Sequence, residues 1–393
     1  MKILHVISSL IKRDGGLPEI VKNLAYQQNT TKTISHIATT SSNYNNTKKD
    51  EYLKKIKVHT FKREVFGNIQ FSYSFKKFID NHIDEYDLIH IHGLYRFPTA
   101  YAAYKAKKKN VPYIVSSHGS LDPYLYKQSN KNLFLKRIWE YLIDFPNIRN
   151  SNAIHCTSEI EKKKIQQLNL NKNIFVIPIF ISNFFLKKIR KNSSFKKKIE
   201  LKKKNFIILF LGRINFKKGL DILIPAFKKI HIEFPLSKLL MVGADAEGYL
   251  KEVVNPLIDK YDIKDSVIYN KPIYGENLIN CYKEANLFVL PSYTENFGLT
   301  IFEAMSQKVP VVVSNQVDLA PIIKKNNIAR ICNCTVNSLY NSIKLSMLKK
   351  KQSLRISKKA FKFVKNNYTS NIIVKRINKK YKEIINNHEK YNQ

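Results

Sequence analysis

The chain has 393 residues, a formal net charge of +38, and 44% hydrophobic and 12% aromatic residues. This length suggests two domains, and the apolar content excludes disorder along the whole chain. The charge is compatible with an anionic partner such as nucleic acid, a membrane face or a phosphorylated substrate. It is equally compatible with a general composition bias, because Lys, Asn and Ile are abundant throughout while Gly and Arg are scarce.

The cysteines and the N-terminal segment indicate the cellular compartment. Cys156, Cys281, Cys332 and Cys334 form neither a disulfide framework nor zinc-site spacing, so a reducing compartment fits best. The apolar start MKILHVI soon gives way to charged residues and a glycine pair, which predicts a buried strand and not a signal peptide. No stretch has the ~18 uncharged apolar residues of a membrane span. We therefore expect a cytoplasmic protein.

Short apolar runs alternate with longer helical patterns in the first half of the chain. Strands are predicted at 2–7, 87–92, 112–117, 152–158 and 173–178, and helices near 17–28, 97–108 and 132–149. This alternation predicts a parallel sheet covered by helices on both faces.

A basic segment, residues 187–204, interrupts the alternation with ten basic residues and one acid, which predicts a linker. Beyond it, strands are predicted at 206–212, 238–243, 266–270, 286–292 and 309–314, and helices near 219–231 and 299–307.

These patterns predict an α/β protein with two doubly wound, Rossmann-like domains facing a central cleft. Residues 1–186 would form the first domain and 205–360 the second, and a helical tail, 361–393, would return to the first domain. Ligands of such sheets bind beyond the carboxyl ends of the strands.

The stretch FLGRINFKKGLDILIPAF combines a strand, a basic turn and a helix opened by Gly219. The first amides and the dipole of a helix favour an anion at its start. Arg213 would add a guanidinium fork and Lys218 a point charge, which together make a diphosphate clamp. Ordinary solvated charge is the alternative interpretation.

The stretch PSYTENFGLTIFEAM, from residue 291 to 305, repeats this architecture with two acids, Glu295 before the helix and Glu303 inside it. Each carboxylate can accept hydrogen bonds from sugar hydroxyls, and the amides of residues 296–299 can face a diphosphate between the two sugars. The alternative is an acid that complements the helix dipole and an unrelated helical glutamate.

Together with the N-terminal stretch HVISSLIKRDGGLPEIVKNLA, these two motifs resemble the retaining glycosyltransferases of family 4, which have the GT-B fold. The segments SSHGSLDPYLYKQSNKNLFLKRIWE and AIHCTSEIE are similar to the corresponding segments of members that build bacterial surface polysaccharides. The likeness runs from residue 1 to about residue 385.

The resemblance implies specific roles. Arg213 and Lys218 would neutralise the diphosphate of a UDP- or GDP-sugar donor, and Glu303 would hold its ribose. Glu295 would hold the transferred sugar and the distal phosphate, together with the amides of Asn296, Phe297, Gly298 and Leu299.

In the first domain, the resemblance implies that Gly16 lets the backbone approach the phosphate, because a side chain there would block it. His118 would lie near the reacting sugar. The family usually has Gly where Lys308 stands, and a different turn where QVDLAPIIKK stands, so contacts after residue 307 are open.

No Asp-x-Asp metal motif is present, so we expect no metal and no cofactor, with the basic pair and the helix dipole in place of a divalent ion. His90 and His92 lie on one face of a strand, and we interpret them as a strand-end polar pair without further ligands. Retention of configuration is implied by the resemblance alone.

The expected acceptor is a saccharide or a lipid-linked saccharide. The basic first domain and linker, with Phe66, Phe71, Tyr73 and Phe75, could dock on an anionic membrane, although these aromatics could equally be core. A nucleotide-sugar epimerase on the same architecture is one alternative function. A nucleic-acid binder is another, although no helix-turn-helix, zinc finger or stacking ribbon supports it.

Overall fold

The computed structural model describes residues 1–11, 16–41, 55–64, 67, 69–126, 133–187, 202, 204–245 and 248–392. The chain forms two compact units. The first contains Met1–Ile179 and Ser370–Gln393, and the second contains Phe180–Thr369. No helix within the described ranges combines the length and the apolar character needed to cross a membrane.

The first unit contains a seven-stranded parallel sheet in the order β3-β2-β1-β4-β5-β6-β7. Its central strands are apolar and buried, as expected when helices cover both faces of a parallel sheet. The strands are β1 (Lys2–Ile7), β2 (Ile34–Ser41), β3 (Lys57–Lys62), β4 (Leu88–His92), β5 (Tyr113–Ser116), β6 (Ala153–Cys156) and β7 (Ile174–Val176).

The second unit repeats this order with six parallel strands, β10-β9-β8-β11-β12-β13. They are β8 (Phe206–Leu211), β9 (Ser237–Val242), β10 (Val267–Asn270), β11 (Leu287–Leu290), β12 (Val311–Ser314) and β13 (Arg330–Cys332). Both sheets are thus Rossmann-like, and the strand order reverses between β1 and β4 in one unit and between β8 and β11 in the other.

Fourteen α-helices lie in the described part of the chain. They are α1 (Gly16–Asn29), α2 (Tyr73–His82), α3 (Phe97–Lys108), α4 (Leu133–Trp139), α5 (Phe145–Arg149), α6 (Glu159–Gln166), α7 (Leu220–Glu233), α8 (Asn255–Lys260), α9 (Glu276–Glu284), α10 (Leu299–Ser306), α11 (Ala320–Asn326), α12 (Val336–Leu348), α13 (Lys350–Asn367) and α14 (Ser370–Asn392). A π-helical turn, Glu140–Asp144, joins α4 to α5.

The unit boundaries fall at 179/180 and 369/370, whereas the sequence analysis placed them after 186 and 360. The shift has a physical cause, because the Ile181 amide donates to the Tyr368 carbonyl at 2.8 Å and the Gln307 side chain donates to the Phe185 carbonyl at 2.6 Å. These bonds tie the residues after 179 to the second unit. Most of the expected linker, 188–201 and 203, lies outside the described residues.

The reversal of strand order positions the sequence motifs. In the second unit, one basic turn follows β8 and one acidic turn follows β11, so both lie at the carboxyl edge where the order reverses. In the first unit, α1 follows β1, and two histidines lie on β4. Open α/β sheets bind ligands at such points.

Candidate functional site

The two turns of the second unit are held against each other by a glycine. Gly219 caps α7 with a left-handed backbone, φ +66°. A Cβ at this position would lie 2.2 Å from the carbonyl oxygen of Pro291, at the end of β11. Only glycine tolerates both the conformation and the approach. The Tyr293 amide also donates to the Lys217 carbonyl at 2.8 Å, which fixes the spacing of the two turns.

Lys218 and Glu295 form an ion pair across these turns, with side chains that are 15% and 17% exposed. The sequence analysis assigned them to different parts of a ligand, and the structure brings them into direct contact. Arg213 lies in the same basic turn and is exposed. The carboxyl edge of this sheet therefore presents three cations, Arg213, Lys217 and Lys218, and one carboxylate within two short turns.

The acidic turn is rigid from Glu295 to the start of α10. The Phe297 side chain is 3% exposed and packs edge-on against Phe302 at 5.1 Å between ring centroids. Gly298 caps α10 at φ +66°, where a Cβ would lie 3.1 Å from the Glu295 Cγ. This turn also positions Asn296 and Leu299, whose amides were predicted to face an anion.

Glu303 lies one turn into α10 and is 7% exposed. Its Oε2 accepts a hydrogen bond from the Tyr282 hydroxyl at 2.7 Å. Burial, together with this carboxylate, raises the pKa of Tyr282 well above its usual value, so the phenol remains a donor. The sequence analysis missed Tyr282. The only indication in the sequence was a tyrosine, with its hydroxyl group, on the apolar face of α9.

In the first unit, Gly16 is the first residue of α1, and a Cβ built on it meets no atom of the described residues within 4 Å. Those residues therefore leave space for a side chain at this position. His118 follows β5 in a left-handed conformation, φ +50°, which is strained for a residue with a Cβ. Desolvation lowers its pKa to about 4, so the imidazole is neutral at physiological pH.

Glu161, which the sequence analysis did not single out, supports the loop that carries His118. Its Oε1 accepts from the Ser117 hydroxyl and the Gly119 amide, both at 2.9 Å. Its Oε2 accepts from the amide and hydroxyl of Thr157. The available signal was the Ser158-x-x-Glu161 spacing, which is typical of a helix N-terminus.

His90 and His92 are accompanied by a third imidazole, His5, so the expectation of a pair without further ligands is wrong. His5 lies opposite His90 in the register of β1 and β4. One nitrogen of each ring lies within 4.8 Å of the others, which could accommodate a metal ion. Every nitrogen of the three rings already has a side-chain partner, and an ion would have to displace some of these hydrogen bonds.

Lys308 stands where the family usually has glycine, and the backbone conformation at this position accounts for that preference. It follows α10 with φ +59°, the left-handed conformation that most helices reserve for glycine at this point. Its ammonium group lies 4.9 Å from the centroid of the Phe361 ring, a cation–π contact that glycine could not make.

The four aromatics proposed for membrane contact have different environments. Phe75 is fully buried, Phe71 contacts Phe97 in a tilted arrangement with 4.6 Å between ring centroids, and Tyr73 is exposed, at 63%. Phe66 lies outside the described residues. The four cysteines are free thiols.

Two family models match the chain. Residues 17–182 match glycosyltransferase family 4, and residues 191–363 match glycosyl transferases group 1. An uncharacterised glycosyltransferase of Methanocaldococcus jannaschii is 34% identical over 131 residues, 33% of each chain. The alpha-monoglucosyldiacylglycerol synthase of Acholeplasma laidlawii is 25% identical over 58% of each chain. The alignments thus span about a third and somewhat over half of these relatives.

The fold is also found in solved structures. Anabaena HepE in complex with UDP and glucose has 18% sequence identity and a TM-score of 0.77, over 97% of this chain and 99% of that one. Both halves of the chain match glycosyltransferase models, both have Rossmann-like sheets, and 97% of the chain aligns with this neighbour. The chain therefore belongs to the family 4 glycosyltransferases of the GT-B fold.

Proposed function

We propose that this protein transfers a sugar from a UDP- or GDP-sugar to a saccharide or lipid-linked saccharide, with retention of configuration, in bacterial polysaccharide synthesis. The observation that carries the proposal is the charge arrangement where the strand order reverses in the second unit. There, Arg213 and the Lys218–Glu295 pair lie on two adjoining turns, and the buried Glu303 follows in α10. The neighbour that contains UDP and glucose supports a nucleotide-sugar donor.

The Lys218–Glu295 ion pair suggests how the donor is engaged. A diphosphate carries more charge than one carboxylate, so it would replace Glu295 as the partner of Lys218. Glu295 would then accept hydrogen bonds from the hydroxyls of the transferred sugar. This exchange gives Lys218 a charged partner and Glu295 hydrogen-bond donors both before and after donor binding, which avoids the cost of an unsatisfied charge in a partly buried site.

Cleavage of the sugar–phosphate bond places negative charge on the nucleoside diphosphate and positive character on the sugar. Arg213, Lys218 and the amides from Asn296 to Leu299 at the start of α10 would stabilise the leaving group, which requires no metal ion. Glu303, oriented by Tyr282, would hold the ribose. In the first unit, His118 would contact the reacting sugar and Gly16 would admit a phosphate.

A screen of nucleotide-sugars by thermal unfolding tests the donor. A ligand at a hundredfold its Kd adds about 2.7 kcal/mol to the free energy of unfolding, which raises the melting temperature measurably. We expect one UDP- or GDP-sugar to stabilise the protein, and then to be consumed only when an acceptor is added. Isomerisation of the donor without an acceptor would instead support the epimerase, and absence of any stabilisation would contradict the proposal.

The lipid-linked acceptor suggests peripheral membrane contact, and the exposed surface of α4 and the following π turn fits it better than the aromatics first considered. Five large apolar side chains are 40–75% exposed within nine residues: Phe134, Leu135, Ile138, Tyr141 and Leu142. Their spacing puts them mainly on one side of the helix. Arg137 is exposed on the same helix, and the chain carries +38 charges, so we propose an anionic bilayer as the partner.

Sedimentation with anionic vesicles at low salt tests this surface. We expect binding by the wild type and at least a tenfold loss in the double variant Phe134→Ser/Leu142→Ser. The control, Ile232→Ser/Leu348→Ser, removes two apolar side chains of similar exposure from the second unit and should bind normally. Absence of wild-type binding, or equal loss in both variants, would contradict the assignment.

A further inference from the structure

A chain of hydrogen-bonded imidazoles leads from His118 into the core of the first unit. The Nε2 of His118 lies 3.1 Å from the Nδ1 of His92. The Nε2 of His92 lies 2.9 Å from the Nδ1 of His5, and the Nε2 of His5 lies 2.7 Å from the Oε1 of Gln28. His5, His92 and Gln28 are at most 1% exposed, so water does not compete for these bonds.

Gln28, at the buried end of this hydrogen-bond chain, determines which atom donates in each hydrogen bond. Gln28 donates from Nε2 to the Oδ1 of Asn378 at 2.9 Å, and its Oε1 accepts from the Ser35 hydroxyl at 2.7 Å. These contacts orient the amide so that its oxygen faces His5. A carbonyl oxygen only accepts, so His5 must donate from its Nε2.

Each ring in the chain carries a single proton at neutral pH. Burial lowers the pKa of His5 to about 4 and that of His92 well below its usual value. A neutral imidazole has one donor and one acceptor. Because His5 donates from Nε2, its Nδ1 accepts from His92, and the Nδ1 of His92 then accepts from His118.

We propose that Gln28, His5 and His92 are positioning residues that hold His118 in the Nε2–H tautomer, so that its Nδ1 can only accept a hydrogen bond. This Nδ1 is a buried atom with no hydrogen-bond partner among the described residues. If the proposed function is correct, the Nδ1 of His118 accepts a hydrogen bond from a hydroxyl group of the transferred sugar. Gln28 would thus act on the substrate through three rings, those of His5, His92 and His118.

A second chain in the same unit supplies the control. The Nε2 of His155 donates to the Ile177 carbonyl at 2.8 Å, and its Nδ1 accepts from Ser116. Ser116 in turn accepts from His90. Both hydrogen-bond chains contain buried histidines, but the second joins His155 to His90 through Ser116 and does not include His118.

The tautomer can be read directly without any substrate. The 13Cδ2 chemical shift of selectively labelled histidine separates Nε2–H from Nδ1–H rings, and His→Gln variants assign each signal. We expect His5, His92 and His118 all to be Nε2–H in the full-length wild type. A neutral His118 with its proton on Nδ1 would overturn the proposal, whether or not the enzyme transfers sugar.

The variants then test the direction of the chain. Gln28→Leu should convert the His118 signal to a mixture of tautomers, whereas Gln28→Glu, which restores an acceptor oxygen, should restore Nε2–H. Ser116→Ala interrupts the second chain and should leave His118 unchanged. An unaltered His118 in a folded Gln28→Leu protein, or an equal change in Ser116→Ala, would overturn the proposal. Once a donor is identified, Gln28→Leu should lower kcat/KM about tenfold, the effect of one hydrogen bond.

Discussion

The two units have sheets of the same strand order, but where that order reverses one unit carries charged side chains and the other carries neutral ones. In the second unit, the turns after β8 and β11 carry full charges, Lys218 and Glu295, in contact and partly exposed. In the first unit, β1 and β4 carry neutral imidazoles, His5, His90 and His92, in full burial. In our proposals, the charged site exchanges ionic partners and the neutral site fixes the direction of hydrogen bonds.

This contrast follows from what each environment permits. Partly exposed ions keep some solvation and can change partners at modest cost, whereas a buried charge is expensive unless it is paired. Neutral histidines avoid that cost and still provide a defined donor and acceptor. The same topology can therefore support a binding site for a charged group in one unit and a hydrogen-bond relay in the other.

Removing the cation of the charged site should have the largest effect. In the proposed mechanism, Lys218→Ala deletes one group that stabilises the leaving diphosphate and leaves Glu295 without its partner, so we expect kcat/KM to fall by about a hundred- to a thousandfold. Lys229→Ala removes the same charge from the exposed face of α7, and should leave transfer intact. Equal turnover in both variants would remove Lys218 from the mechanism.

Gly219→Ala should disrupt the packing of the two charged turns. Its Cβ would overlap the Pro291 carbonyl, and φ +66° disfavours alanine, so we expect a loss of about 3 kcal/mol or more in the free energy of unfolding. Gly16→Ala is the matched variant in the first unit, where a Cβ meets nothing. It should unfold like the wild type in urea while raising the donor KM. A comparable stability loss in Gly16→Ala would contradict this distinction.

The buried neutral histidines of the first unit should make the stability of the protein depend on pH in the acid range. The folded-state pKa of His5 is about 4, below its usual value of 6.5, so the unfolded chain binds a proton that the folded chain rejects. Stability is therefore fully present above pH 6.5 and falls as the pH drops toward 4. Between pH 6.5 and 5, His5 alone accounts for about 2 kcal/mol. His90, His92, His118 and His155 shift in the same direction.

Urea unfolding from pH 8 to pH 5 measures this effect. His5→Gln keeps an amide that can donate to Gln28 but does not titrate. The dependence of the unfolding free energy on pH should therefore become less steep below pH 6.5, by up to the contribution of one proton. A wild-type stability that stays level between pH 6.5 and 5 would show that these imidazoles are not held neutral.

Tyr282→Phe should have the smallest effect. It leaves the buried Glu303 without one donor, so we expect a loss of about 1–3 kcal/mol in unfolding free energy and a higher donor KM. Tyr269→Phe removes a hydroxyl that donates to the Gly243 carbonyl at 2.9 Å, and should cost about 1 kcal/mol with no change in KM. If both variants shift KM equally, Tyr282 has no specific role at the site.

Much of the fold was predictable because buried parallel strands are apolar and short. The predicted strand at 2–7 and helix at 97–108 match the structure in their bounds. The polar-rich β2 and β3 and the three-residue β13 were missed, since none has a continuous apolar run. The helix predicted at 132–149 contains a π turn before Pro146, which lacks the amide that would continue the α-helical pattern.

The site was predictable only in its residue types. The motifs identified Lys218, Glu295 and Glu303, because charge beside a helix start has a chemical meaning that the sequence displays. Their partners depend on tertiary contacts between distant positions. The Lys218–Glu295 pair spans 77 residues and the Tyr282–Glu303 bond joins two helices. The third histidine of the cluster came from a neighbouring strand, which requires knowing the register.

The last helix has a consequence for how the protein is made. Asn378 and Tyr381, both in α14, contact Gln28 and His90, so they complete hydrogen bonds of a helix and a strand translated 350 and 291 residues earlier. The first unit cannot reach its native core while the ribosome is still synthesising the second. A nascent chain would carry incompletely bonded imidazoles until α14 is made, and a stop codon before residue 370 would leave them so permanently.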